Sequence, residues 1–303
     1  MIRASVCVLP VTALVVSASV AALGAQTAPR QYEPKIGQPG KDVVWVPNPP
    51  EMVEKMLDLA RVTPKDLVVD LGSGDGRNVI AAARRGARGR GVEFNPDLVE
   101  YSKHQAQLAG VADKATFVQG DMYEADFSDA TVLALFLLPE NLRKLMPKFV
   151  ELEPGTRIVA NTFGLPGWTP ESTVRMEDGC RSWCEAMLYI VPAHVQGVWR
   201  ADNGTLEFRQ EHQAITGTLT DGDRTTPIEN GTLRLDEITF TIAGATYTGR
   251  VQGDRIEGSV TTGDRQMRFT AVRQQSQSRE PSAARRPREA ARRQASGSPA
   301  WPR

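Results

Sequence analysis

Val68-Val69-Asp70-Leu71-Gly72-Ser73-Gly74-Asp75-Gly76 is the stretch that decides how this chain folds. The apolar run Leu67-Val68-Val69 reads as a short strand, and three alternate glycines follow at once. Arg77-Asn78-Val79-Ile80-Ala81-Ala82-Ala83-Arg84-Arg85 then reads as a helix. Strand, glycine turn and helix bring a ligand against bare backbone. Glycines tolerate positive φ and carry no Cβ, and a helix N-terminus presents unpaired N–H groups.

The spacing narrows the ligand. A dinucleotide fingerprint reads Gly-x-Gly-x-x-Gly, whereas here the third glycine arrives one residue early, at Gly76. No Lys-Ser/Thr pair follows, so a phosphate-cradling loop is excluded. Asp70, two positions before Gly72, would repel a pyrophosphate but suits a ligand with an ammonium group, such as the methionyl end of S-adenosylmethionine.

Two further strand signals lie downstream. Gly89-Arg90-Gly91-Val92-Glu93-Phe94 ends in an acid about 20 residues beyond Gly72, where a second parallel strand returns and a carboxylate can accept from both ribose hydroxyls. Ala115-Thr116-Phe117-Val118-Gln119 is followed by Asp121 and Met122, placed to accept from an adenine amine and to meet its ring. Acids at the carboxyl ends of three successive strands mark the edge where open α/β sheets bind ligands. The expected cofactor contacts are Asp70, Gly72, Ser73, Gly74, Asp75, Gly76, Glu93, Asp121 and Met122.

On these motifs, residues 43–190 resemble a class I (seven-strand) S-adenosylmethionine-dependent methyltransferase. Val46-Pro47-Asn48-Pro49-Pro50-Glu51-Met52-Val53, the run 130–139 and the run 154–163 are similar to small lysine methyltransferases acting on mitochondrial carrier and ATP-synthase subunits, and to their bacterial relatives. The resemblance implies a Rossmann-like doubly wound sheet and S-adenosylmethionine as cofactor. It also implies a protein lysine as acceptor, with a small molecule next. It places Trp45, Asn48, Asn161 and Trp168 on the acceptor side, and it points to no general base. Leu137-Leu138-Pro139-Glu140 lacks the Asp/Asn-Pro-Pro-aromatic motif of enzymes that methylate nucleobase amines or glutamine.

Five segments follow. Residues 1–25 read as a cleaved signal peptide: Arg3, an apolar run and Ala22-Leu23-Gly24-Ala25. Residues 26–42 read as a linker, 43–192 as the methyltransferase domain, 193–273 as an antiparallel β domain and 274–303 as a disordered basic tail. A helix from Pro50 to about Ala60 opens the enzyme domain, one from Pro96 to Ala109 is capped by Asn95, and a third spans Leu142 to Leu152. In the β domain, turns at Asn203-Gly204, Asp221-Gly222, Asn230-Gly231, Gly253-Asp254 and Gly263-Asp264 separate short alternating runs, as in a small barrel or sandwich. Both Asn-Gly-Thr triplets are formally glycosylation sequons, which hairpin turns explain more simply. The tail lacks large apolar residues. Its arginines suit an anionic surface, and a solvated tail is the plainer reading.

The charge is balanced, 36 basic against 36 acidic residues, which argues against a whole-protein nucleic-acid surface. His104, His194 and His212 are scattered, and Cys180 and Cys184 are too few to form a metal site, so none is expected. The cysteines read equally as bridged or reduced.

Export conflicts with a cytosolic cofactor. A misplaced start, a membrane anchor or another use of the pocket would each resolve this. The second functional reading is therefore an exported, inactive methyltransferase-fold protein whose β module engages a partner or envelope ligand.

Overall fold

The structure is a computed structural model that describes residues 32–177 and 180–274. The expected signal peptide and nearly all of the tail lie outside the described residues.

The first half is a seven-stranded sheet of β1 (Leu67–Leu71), β2 (Arg88–Glu93), β3 (Ala115–Gln119), β4 (Val132–Leu135), β5 (Arg157–Asn161), β6 (Ser172–Arg175) and β7 (Glu185–Ile190), in the order β3-β2-β1-β4-β5-β7-β6. β7 runs antiparallel to both neighbours, and the other cross-strand pairs are parallel. β1 and β4 are buried throughout, as strands covered on both faces should be.

Alternation sorts their side chains. Val68, Val132, Ala134 and Val159 pack with α1 (Pro50–Leu59) and α2 (Arg77–Arg84). Val69, Leu71, Leu133 and Leu135 face α4 (Pro139–Phe149). α3 (Pro96–Leu108) joins α2 over β3, and Asn95 caps it by accepting from Asp97 N at 2.9 Å.

The sheet is doubly wound as expected, with helices on both faces, and one helix boundary moves. The winding is uneven: three helices cover one face, while α4 shares the other with loop residues such as Phe127 and Leu165. α4 also starts three residues earlier than the periodicity predicts, because Pro139 suits its first turn, where the missing N–H has no partner to lose.

The second half holds β8 (Gly197–Ala201), β9 (Gly204–Glu211), β10 (Ala214–Asp221), β11 (Arg224–Pro227), β12 (Glu229–Arg234), β13 (Glu237–Ile242), β14 (Ala245–Gln252), β15 (Arg255–Thr262) and β16 (Arg265–Arg273). Each pairs antiparallel with the next, except that β11 and β12 both lie along β10 as one bent strand. β16 pairs with β8, so the meander closes into a barrel. Inward rings fill it: Phe240 stacks on Tyr247 at 4.8 Å, and Phe208 and Phe269 stand edge-on to Phe240. Asp202-Asn203 forms the β8–β9 hairpin turn, one residue before the expected Asn203-Gly204, and Gly204 opens β9 at positive φ. Asn230-Gly231 does not form a turn: it is a bulge inside β12, where the register with β13 shifts and Gly231 lies against the Ile215 carbonyl.

The halves meet where Trp168 stacks on His212 at 5.1 Å and Gln213 donates to Thr169 O at 3.0 Å. Arg234 pairs with Glu171 at the same place.

Candidate active site

The glycine turn is clasped to the neighbouring strand, since Gly72 N and Ser73 N both donate to Val92 O, at 2.7 and 3.0 Å. Gly72, Gly74 and Gly76 all have positive φ. Close approach makes two glycines obligatory here. A Cβ on Gly74 would run into the Trp45 indole, and one on Gly91 would lie 2.5 Å from Ser73 Oγ and 2.6 Å from Phe117.

The three acids sit in different settings. Glu93 accepts from Gly74 N through one carboxylate oxygen and from Asn95 N through the other, each at 2.9 Å. Asp121 accepts from Tyr123 N at 3.0 Å and pairs with Lys41, which holds its carboxyl below the usual range. Asp70 is buried under the turn. Burial pushes its carboxyl up to about 8, the charges of Glu93 and Asp75 add to this, and a 3.0 Å bond from Asn78 opposes it.

Glu93 and Asp121 border a cavity of about 320 Å³ at the carboxyl ends of β1, β2 and β4, whereas Asp70 lies behind the turn and does not line it. It opens where the strand order reverses between β1 and β4, the usual ligand site of such sheets. Gly72, Glu93, Asp121 and Met122 line it. Ser73, Gly74, Asp75 and Gly76 shape the turn behind the wall, where Asp75 is held by Arg77. Phe136, Phe163 and Trp183 wall the other end.

The resemblance implies that the entry segment 43–47 covers the pocket, and the structure extends this cover into the expected linker. Residues 39–46 line the cavity, although the sequence from 26 to 42 reads as linker. Gly37 N donates to Trp45 O, Trp45 N donates to Gln38 O, both at 2.9 Å, and Pro39 bridges to Val44. This folded strap carries Lys41 onto Asp121, with its ammonium 5.2 Å from the Phe94 ring centre. No hydrophobic period marks the strap in sequence, so nothing there singles out Lys41.

The acceptor-side residues divide. Trp45 reaches the cavity. Asn48 and Asn161 are buried beneath it in a directional chain of amides. Thr162 Oγ1 donates to Asn161, Asn161 to Asn48 at 2.7 Å, Asn48 to Asn78 at 3.2 Å, and Asn78 to Asp70. Each amide both donates and accepts, as buried polar groups must. Trp168 is not brought to the cavity, because it packs in the core against Tyr189 and the barrel residue His212. Cys180 and Cys184 form a disulfide. Among the described residues, no group of three or more His, Cys, Asp or Glu could hold a metal ion.

The donor set fits S-adenosylmethionine. The turn offers Cβ-free backbone, Glu93 is fixed by two N–H groups, and Asp121 stands beyond it on the same polar wall.

Comparison with known proteins agrees. The family model of the ANTKMT methyltransferase domain matches residues 70–172. A protein-lysine N-methyltransferase of Saccharolobus islandicus is 38% identical over 155 residues, which is 50% of this chain and 96% of that protein. The adenine nucleotide translocase lysine N-methyltransferase of Mus musculus is 39% identical over 40% of this chain, which spans about half (54%) of that relative. The crystal structure of an RNA methyltransferase from Salinibacter ruber with S-adenosyl-L-homocysteine is 45% identical with a TM-score of 0.47, covering 50% of this chain and 96% of that one. The match takes in nearly the whole of the Saccharolobus relative, and with the family model it shows that this chain belongs to the class I S-adenosylmethionine-dependent methyltransferases.

Proposed function

We propose that this chain transfers a methyl group to the ε-amine of a lysine in a protein. One observation carries the reading: the cavity has acids at one end and only apolar and aromatic side chains at the other. Relatives named as lysine N-methyltransferases support it.

When bound, S-adenosylmethionine supplies an electrophilic methyl on a sulfonium. Glu93 would hold the ribose, Asp121 with Met122 the adenine, and Asp70 with the glycine turn the methionyl end. Lys41, Asp42, Glu93 and Asp121 are the titratable side chains lining the cavity, and none belongs to the aromatic trio. Deprotonation of the acceptor is therefore assigned to desolvation, which lowers the pKa of a buried amine. Positioning and exclusion of water by the strap and the aromatic wall supply the rest. We also place the protein in an oxidising compartment, which suits both the signal-like residues 1–25 and the Cys180–Cys184 bridge.

The test is calorimetric titration of S-adenosylmethionine, followed by transfer of labelled methyl to lysine-containing and lysine-free peptides. Labelling of lysine-free peptides alone would sink the proposal. Glu93→Ala is expected to weaken cofactor binding by about 1–3 kcal/mol, the cost of lost charge-assisted hydrogen bonds, and unchanged affinity would remove the ribose assignment. Lys41→Met should have the opposite sign, tightening binding by up to a few-fold, because Asp121 no longer has an ammonium to surrender. Weaker binding in that variant would make Lys41 a cofactor contact instead.

A further inference from the structure

The loop before β7 carries an unusual tryptophan. Trp183 has a φ of 63°, in the left-handed region that large side chains avoid. It is half-buried and lines the cavity, with its ring 5.3 Å from Phe136 and 6.1 Å from Phe163. Cys184 follows it directly and bonds to Cys180, so Trp183 sits inside a covalently closed loop. Cys184 O accepts from Met176 N at 2.8 Å, which ties the loop to the β6–β7 hairpin. The family match ends at residue 172, before this loop begins.

Phe136 leaves the end of β4, beside the strand-order reversal, and Phe163 follows the end of the neighbouring β5. A ring face attracts an ammonium or methylammonium within about 6 Å of its centre, tryptophan most strongly. The four-carbon stem of lysine packs on the same surface. This cavity already seats one ammonium on rings, since Lys41 lies over Phe94 and Tyr123 at 5.2 and 5.8 Å.

We infer that Phe136, Phe163 and Trp183 form the acceptor entrance, which binds an alkylammonium side chain, and that the Cys180–Cys184 bridge is the positioning element that holds Trp183 there. This rests on the lysine reading for its substrate but not for its chemistry. The bridge acts only through Trp183, so its loss resembles loss of the ring.

The probe is N-acetyl-trimethyllysine methylamide, titrated into the full chain saturated with S-adenosyl-L-homocysteine and followed by calorimetry and indole fluorescence. Trp183→Ala is expected to weaken the probe at least about tenfold and Trp183→Phe about threefold. Cys180→Ser with Cys184→Ser should approach the alanine value. Affinity for S-adenosyl-L-homocysteine should stay unchanged in all three, which reports an intact fold. If the alanine variant loses that affinity, the phenylalanine variant decides.

A wild-type protein that ignores the probe, or ring variants that bind it as well as wild type, would overturn the inference. Probe binding that needs Trp183, in a protein that labels no lysine peptide, would uphold the entrance and overturn the lysine reading alone.

Discussion

Asp70→Asn is expected to stabilise the cofactor-free protein, most strongly in alkali, and to weaken cofactor binding at least about tenfold. The Asp70 carboxyl is 4% exposed and is raised to about 8, against about 3.9 for an unfolded chain. Between those values the native state keeps a proton that the unfolded state has lost, so wild-type stability falls as pH rises from about 4 to about 8 and is level beyond. An asparagine has no such slope. The gap between variant and wild type should grow from almost nothing near pH 4 to on the order of 5 kcal/mol above pH 8. The amide still accepts from Asn78 once turned, so packing is kept.

The same proton should appear on binding. Asp70 is mostly protonated at pH 7 and should release close to one proton when a cationic amine is brought beside it. Titrations in two buffers of different ionisation enthalpy measure that release, and the variant should show none. A melting-temperature difference that is flat from pH 5 to pH 9 would contradict the buried-acid account.

Trp199→Ala should strike the other half. Trp199 is wholly buried, its indole N–H donates to Val195 O at 2.7 Å, its ring meets Phe208, and the Arg273 guanidinium lies over it at 4.3 Å. Truncating such a residue costs about 3–5 kcal/mol, much of a small domain's margin. The contacts named between the halves are one ring stack, one ion pair and one backbone acceptance. The barrel should therefore melt first while the α/β half still binds S-adenosyl-L-homocysteine. Calorimetry should split into two transitions. One shifted transition, with cofactor binding lost alongside it, would show that the two halves unfold as a single unit.

The parts legible in sequence were those that local chemistry encodes. Strand, glycine turn and helix at 67–84 need only short-range pattern, and so do the acids closing β2 and following β3. Gly253-Asp254 and Gly263-Asp264 announce their hairpins because Gly253 and Gly263 take the positive φ that glycine tolerates. The turns at His212, Leu235 and Ala243 do not, since each is a non-glycine residue at positive φ held by the surrounding barrel. Lys41 and Trp183 were hidden for another reason: a strap and a closed loop derive their positions from distant partners, Asp121 and Phe136. Asn48 and Asn161 were marked by the resemblance alone, and not as links in one chain, because sequence does not show which amide faces which.

Barrel closure sets an order on folding. β8 needs β16 as its neighbour, and about 70 residues of chain separate them, whereas every other pairing in the barrel is between sequence neighbours or nearly so. As the chain is synthesised, the sheet with its glycine turn can form early. The hairpins can follow one by one, and the last seam waits for the final strand. Until then β8 presents an unpaired edge. A chain stopped before residue 265 would thus carry a formed cofactor site beside an open sheet, and such a fragment should self-associate more than the whole protein.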